Sequence, residues 1–167
     1  DSLTVTAAIT AGAFPAGWDI HSGLGWQAET AQAGVTQRVN DPARSPGTVW
    51  IALGQNDAAA HADPTKIGDG WTNTDAQQVT TLANTPHPDA DVCWLLPAYF
   101  GTDPRYAAGI NAYRQWVTLT AAARGEHVAD WATVARPEHI EADGVHLTPA
   151  GRLAYGQLIT QETPDCG

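Results

Sequence analysis

The chain has 167 residues, 43% hydrophobic and 16% charged, with 16 glycines and 11 prolines spread along it. That is a globular composition, long enough to bury one sizeable core in a single domain over residues 1–167. The formal charge of −10, from 18 acidic residues against 8 basic ones, repels phosphate backbones and anionic lipid and argues against nucleic-acid and membrane-surface partners, while no apolar run approaches the ~20 residues of a membrane span.

The chain opens on Asp1-Ser2-Leu3-Thr4 and contains no methionine, so a mature or trimmed chain is expected. A short strand is predicted at Trp18 to Ile20, leading into Ser22-Gly23-Leu24-Gly25-Trp26. Glycine there lets a backbone N–H approach a substrate atom closely, or simply makes an ordinary strand-to-helix turn. A polar helix from Gly25 to Ala33 and a Pro/Gly-rich surface loop from Asn40 to Gly47 follow. The continuous apolar runs Val49 to Leu53 and Val92 to Leu96 read as central parallel strands buried on both faces, with a helix from Thr74 to Ala83 between them.

Beyond Leu96, an Asp103-Pro104 start signal and apolar residues at Tyr106, Ile110, Tyr113 and Val117 predict a helix that ends near Gly125. A strand is predicted from His127 to Trp131. The last helix takes Thr148 as N-cap and Pro149 at its first position, and is expected to carry Leu153, Leu158 and Ile159 toward the core. Strands and helices alternate throughout, so the expected fold is α/β, a three-layer α/β/α sandwich on a mostly parallel sheet with ligands at the carboxyl ends of the strands.

Four short blocks carry polar chemistry. Gly54-Gln55-Asn56-Asp57 places a side-chain amide at a strand's carboxyl end, where it can donate to an oxyanion; a tight turn explains the same string. Asp143-Gly144-Val145-His146 sets a carboxylate and an imidazole three residues apart in a loop. Such a pair lets the acid orient one ring nitrogen and leave the other to accept a proton, although a plain Asp-Gly turn also fits. Asp1-Ser2-Leu3 and Gly23 complete the set.

In this order and spacing, the four blocks resemble those of the SGNH hydrolases, also called the GDSL esterase and lipase family, over nearly the whole chain. The match is Asp1-Ser2-Leu3 to the first block without its glycine, Gly23 to the second, Gly54 to Asp57 to the third, and Asp143 to His146 to the last. The resemblance implies a flavodoxin-like sheet in the order 2-1-3-4-5, whose first strand would precede Asp1. It also implies a serine nucleophile at Ser2, a base at His146 oriented by Asp143, and an oxyanion hole made by the N–H groups of Ser2 and Gly23 with the amide of Asn56.

The implied reaction is hydrolysis of an acyl ester on a small-molecule or glycan substrate by a monomer that needs no cofactor. Trp26 is a candidate to line the substrate cleft. An O-acyltransferase acting on cell-envelope glycans would use the same acyl-enzyme, and a binding module could keep the fold without turnover. The remaining histidines, His21, His61, His87, His127 and His139, show no metal-ligand spacing, so no metal is expected and they read as surface or loop residues. Trp50, Trp94 and Trp116 lie on apolar elements and are assigned to the core. Cys93 and Cys166 are expected to close one disulfide in an oxidising, extracytoplasmic compartment, with a pair of free thiols as the alternative.

Overall fold

The computed structural model describes residues 13–15, 18, 28–39, 47–53, 56–57, 73–84 and 90–167. The predicted strand at Trp18 to Ile20, most of the Asn40 to Gly47 loop, and any strand ahead of Asp1 lie outside the described residues, apart from isolated positions. In chain order the elements are α1 (Ala28–Val39), β1 (Thr48–Ile51), α2 (Asn73–Ala83), β2 (Asp91–Leu96), α3 (Pro104–Arg124), β3 (His127–Asp130), the short α4 (Trp131–Val134), and α5 (Pro149–Glu162). Two 3₁₀ turns, Pro137–His139 and Thr163–Asp165, flank α5.

The strands form a parallel sheet in the order β1-β2-β3, with Trp50, Cys93 and His127 in one row and Ile51, Trp94 and Val128 in the next. Alternation along each strand sends these rows to opposite faces. One face buries Ile51, Trp94 and Leu96 against Val79 and Leu82 of α2, Tyr113 and Val117 of α3, and Ala31 of α1. The other buries Leu95 and Ala129 against Tyr155, Leu158 and Ile159 of α5, together with Trp131 and Leu147. Helices therefore cover both faces, giving the α/β sandwich expected from the alternation of elements. Apolar residues run continuously along β2 because both of its faces are dry.

The helix ends follow local chemistry. Asp103 accepts the Arg105 N–H at 2.9 Å ahead of Pro104, and α3 stops at Gly125 in the left-handed region, φ 69°. Thr148 accepts the Gly151 N–H at 3.2 Å ahead of Pro149. Both ends match the sequence reading, since an Asp or Thr cap satisfies an otherwise unpaired N–H and Pro fits the first turn.

Other expectations are corrected. Helix α1 runs on to Val39 rather than ending at Ala33; Gly34 sits in its interior, where a glycine costs only about 1 kcal/mol and packing can override it. Strand β3 stops at Asp130, and Trp131 opens α4 instead, fully buried. Leu153 is exposed on α5 rather than in the core, because it lies about 200° around the helix from the buried Tyr155. Trp94 is in the core as assigned, whereas Trp50 and Trp116 are only partly buried and pack at its margin.

Cys93 and Cys166 form a disulfide across 73 residues that fastens the C-terminal segment to β2. Around it the Trp50 indole N–H donates to Thr163 Oγ1 at 3.0 Å, and His127 Nε2 lies 2.9 Å from Glu162 Oε2. His127 is thus a strand residue with an acidic partner rather than a surface histidine. Among the described residues no helix is long and apolar enough to cross a membrane.

Candidate active site

Between the Pro137–His139 turn and α5, the chain makes a tight loop closed at its foot by an antiparallel bridge between Ile140 and Leu147. The Glu141 N–H donates to the His146 carbonyl at 2.8 Å, and the Gly144 N–H donates to the Glu141 carbonyl at 3.0 Å. These bonds turn the chain so that Asp143 and His146 project together from the loop tip.

Asp143 is held by its own loop. Its Oδ1 accepts the backbone N–H groups of Val145 and His146, each at 2.9 Å. That leaves Oδ2 aimed at His146 Nδ1, 2.6 Å away. A neutral imidazole facing a carboxylate carries its proton on the facing nitrogen, so Nδ1 donates and Nε2 keeps its lone pair.

The two side chains are half exposed, at 50% for Asp143 and 52% for His146, open enough for Nε2 to meet a substrate. Partial burial pushes the Asp143 carboxyl up, but the His146 bond, the two backbone donors and the imidazole charge outweigh it and bring it down to about 2. Asp143 is therefore a carboxylate throughout the neutral range.

A second loop clamps the first. Beyond β2, the Phe100 N–H donates to the Gly144 carbonyl at 2.9 Å. Gly144 adopts φ +75° and presses so closely on Gly101 that a Cβ there would fall well inside 3.0 Å of the Gly101 backbone and of the Phe100 carbonyl carbon. Only glycine meets both demands. The clamping loop is itself rigid: Tyr99 Oη accepts the Asp103 N–H at 2.9 Å, and its ring packs on Tyr106 with centroids 4.5 Å apart.

Asn56 and the buried Asp57 follow β1 in helical conformation, on the same carboxyl edge of the sheet as the two loops. Burial, and then the negative charge of Asp57, push the Tyr113 hydroxyl of α3 far above the usual phenol range. Of the residues singled out in the sequence, Asp143 and His146 are brought into contact and Asn56 stands at the same sheet edge. Ser2, Gly23 and Trp26 lie outside the described residues, and Cys93 and Cys166 form a brace remote from the loop tip.

Phe100 and Gly101 were missed by the sequence reading. Their signal was the Pro97-Ala98-Tyr99-Phe100-Gly101 string directly after a doubly buried strand, a position where loops meet ligands in parallel sheets. A cleft of about 420 Å³ lined by Asn84, Asp91, Arg124, Glu126 and Asp165 lies at the opposite, amino-terminal edge of the strands. It holds neither the dyad nor the Asn56 segment. Among the described residues no three His, Cys, Asp or Glu side chains gather to hold a metal ion.

No family model matches the chain, and no curated protein matches it. Its fold is similar to solved esterase structures. The aryl esterase of M. smegmatis aligns with a TM-score of 0.69 at 15% identity, covering 99% of this chain and 86% of that one. An acetylxylan esterase from Geobacillus stearothermophilus aligns with a TM-score of 0.64 at 17% identity, covering 83% and 68%. A G-D-S-L family lipolytic protein candidate from Desulfitobacterium hafniense aligns at 0.60 and 17%, covering 82% and 75%. At these identities the likeness shows a common fold.

Proposed function

We propose that this chain is a serine esterase of the SGNH type that hydrolyses acyl esters of small or carbohydrate-linked alcohols. The observation that carries the proposal is the Asp143–His146 dyad, with Nδ1 bonded to a fixed carboxylate at 2.6 Å and Nε2 left as a base. The fold shared with an aryl esterase and an acetylxylan esterase supports both the ester bond and the substrate class.

In this reading Ser2 Oγ attacks the ester carbonyl while His146 Nε2 takes its proton, and the Asp143 carboxylate stabilises the resulting imidazolium. The tetrahedral oxyanion is held by the N–H groups of Ser2 and Gly23 and by the Asn56 amide, each such donor worth about 3 kcal/mol. The imidazolium then protonates the departing alcohol. Water then attacks the acyl carbon as His146 takes its proton, and His146 passes that proton to Ser2 Oγ as the Ser2–acyl bond breaks and the acid departs. Trp26 would line the substrate cleft. The Cys93–Cys166 bond supports an extracytoplasmic setting for this chemistry.

A fluorophosphonate probe tests the assignment. Labelling should map to Ser2, and His146→Ala should lower turnover of p-nitrophenyl acetate by roughly 1,000-fold or more. A folded protein that is not labelled, or a His146→Ala variant that stays within a few-fold of the parent, refutes it.

A further inference from the structure

Both loops that meet at Gly144 grow from strand ends joined by one side chain. Arg114, midway along α3, donates from Nη1 to the Pro97 carbonyl at 2.7 Å and to Asp130 Oδ1 at 2.8 Å, and from Nη2 to Asp130 Oδ2 at 2.6 Å. Pro97 begins the clamping loop that ends on Gly144. Asp130 ends β3, and its Oδ1 also accepts the Ala132 N–H at 2.9 Å as the cap of α4.

From Asp130 a continuous path leads to the dyad. Trp131 is fully buried and stacks on the His139 ring, with centroids 5.9 Å apart and planes 24° apart. The His139 carbonyl accepts the Thr148 N–H at 3.0 Å, just below the Ile140–Leu147 bridge that closes the loop. The other arm runs from Pro97 through Tyr99 and Phe100 to the Gly144 carbonyl.

We infer that Arg114 is a positioning residue for His146, its guanidinium fixing at a common root the two arms that clamp the Asp143–His146 loop. The chemistry of the contact fits that task. A guanidinium fork can serve a carboxylate bidentately and a carbonyl at once, which a lysine ammonium cannot do in a fixed plane. Arg114 and Asp130 are only 22% and 28% exposed, so water screens the pair far less than it would an ordinary surface pair.

The inference rests on His146 being the base, so the test reads the imidazole directly as well as turnover. Long-range ¹H–¹⁵N correlation of the His146 ring reports which nitrogen carries the proton. The parent protein should show the Nδ1–H tautomer. Arg114→Ala should move the ring toward the Nε2–H tautomer that a free histidine side chain prefers, and should lower kcat on p-nitrophenyl acetate by about 10- to 100-fold with KM within about three-fold, as misplaced catalytic groups do.

Arg114→Lys keeps the charge without the fork and should lie closer to the alanine variant than to the parent. It decides the matter if Arg114→Ala does not fold. Arg124→Ala removes a comparable arginine, paired with Glu126 at the other sheet edge, and should leave the tautomer and kcat unchanged. A folded Arg114 variant with the parental tautomer and kcat overturns the inference, as does a parent ring that is not Nδ1–H. If the parent hydrolyses no ester while Arg114→Lys still shifts the tautomer, the positioning role stands and the esterase reading falls.

Discussion

Replacing Gly144 with alanine tests the clamp, because the two costs of the change can be separated. A non-glycine residue at φ +75° sits in the left-handed region, at a cost of about 1 kcal/mol or more. The new methyl would also overlap the Gly101 and Phe100 backbone, which cannot swing aside as a flexible side chain could; such overpacking costs about 2 kcal/mol. Together they disfavour the docked loop by about 3 kcal/mol, roughly a 100-fold shift of the docking equilibrium away from correctly placed His146 at about 1.4 kcal/mol per factor of ten.

The loop relieves the overlap by lifting off, so most of the loss should appear in kcat/KM for p-nitrophenyl acetate rather than in global stability. Gly125→Ala is the matched control. Gly125 has a similar φ of +69° but nothing within 4 Å of a new Cβ, so it should lower stability by about 1 kcal/mol and leave turnover alone. A Gly144→Ala variant that retains kcat/KM within about three-fold of the parent, or one that behaves like Gly125→Ala, refutes the clamp.

Three further outcomes are expected. The Asp143 carboxyl, drawn from 3.8 down to about 2 in the fold, contributes stability that is complete above pH 4 and is lost as the pH falls through that interval; denaturation by urea at stepped pH should show a shallower acid loss for Asp143→Asn than for the parent. Reducing the Cys93–Cys166 bond, which closes a 73-residue separation, should cost about 4 kcal/mol by chain entropy, seen as a lowered urea midpoint in reductant. Thr148→Ala removes both the α5 cap to Gly151 and a 2.6 Å bond to the Glu138 carbonyl, so stability should fall by about 1 to 2 kcal/mol in thermal unfolding.

Much of the architecture is legible in the chain because it depends on near neighbours. The Asp103-Pro104 and Thr148-Pro149 starts and the Gly125 stop are satisfied by backbone groups within four residues. Asp143 finds His146 in the same way: the spacing brings two backbone donors to one carboxylate oxygen and the ring to the other. The alternation of doubly apolar runs with helical periods identifies the strands, since a parallel strand must be dry on both faces. Leu153 escapes that logic because a single apolar residue does not say which way its helix is rotated; Tyr155, Leu158 and Ile159 together do.

The sequence by itself determined the dyad, the caps and the layer order, because each arises from contacts a few residues long or from a repeating period. Tertiary structure alone decided that Gly144 must lie against Gly101, that Arg114 of α3 must reach Pro97 and Asp130, and that Trp131 must stack on His139 beneath the loop. Gly144 and Arg114 meet partners 16 to 43 residues away because parallel strands bring their carboxyl ends to one edge, and even Trp131 and His139, eight residues apart, share no local period that would pair them. A local motif can make a carboxylate meet an imidazole, but only the packed sheet can hold that pair at a fixed place.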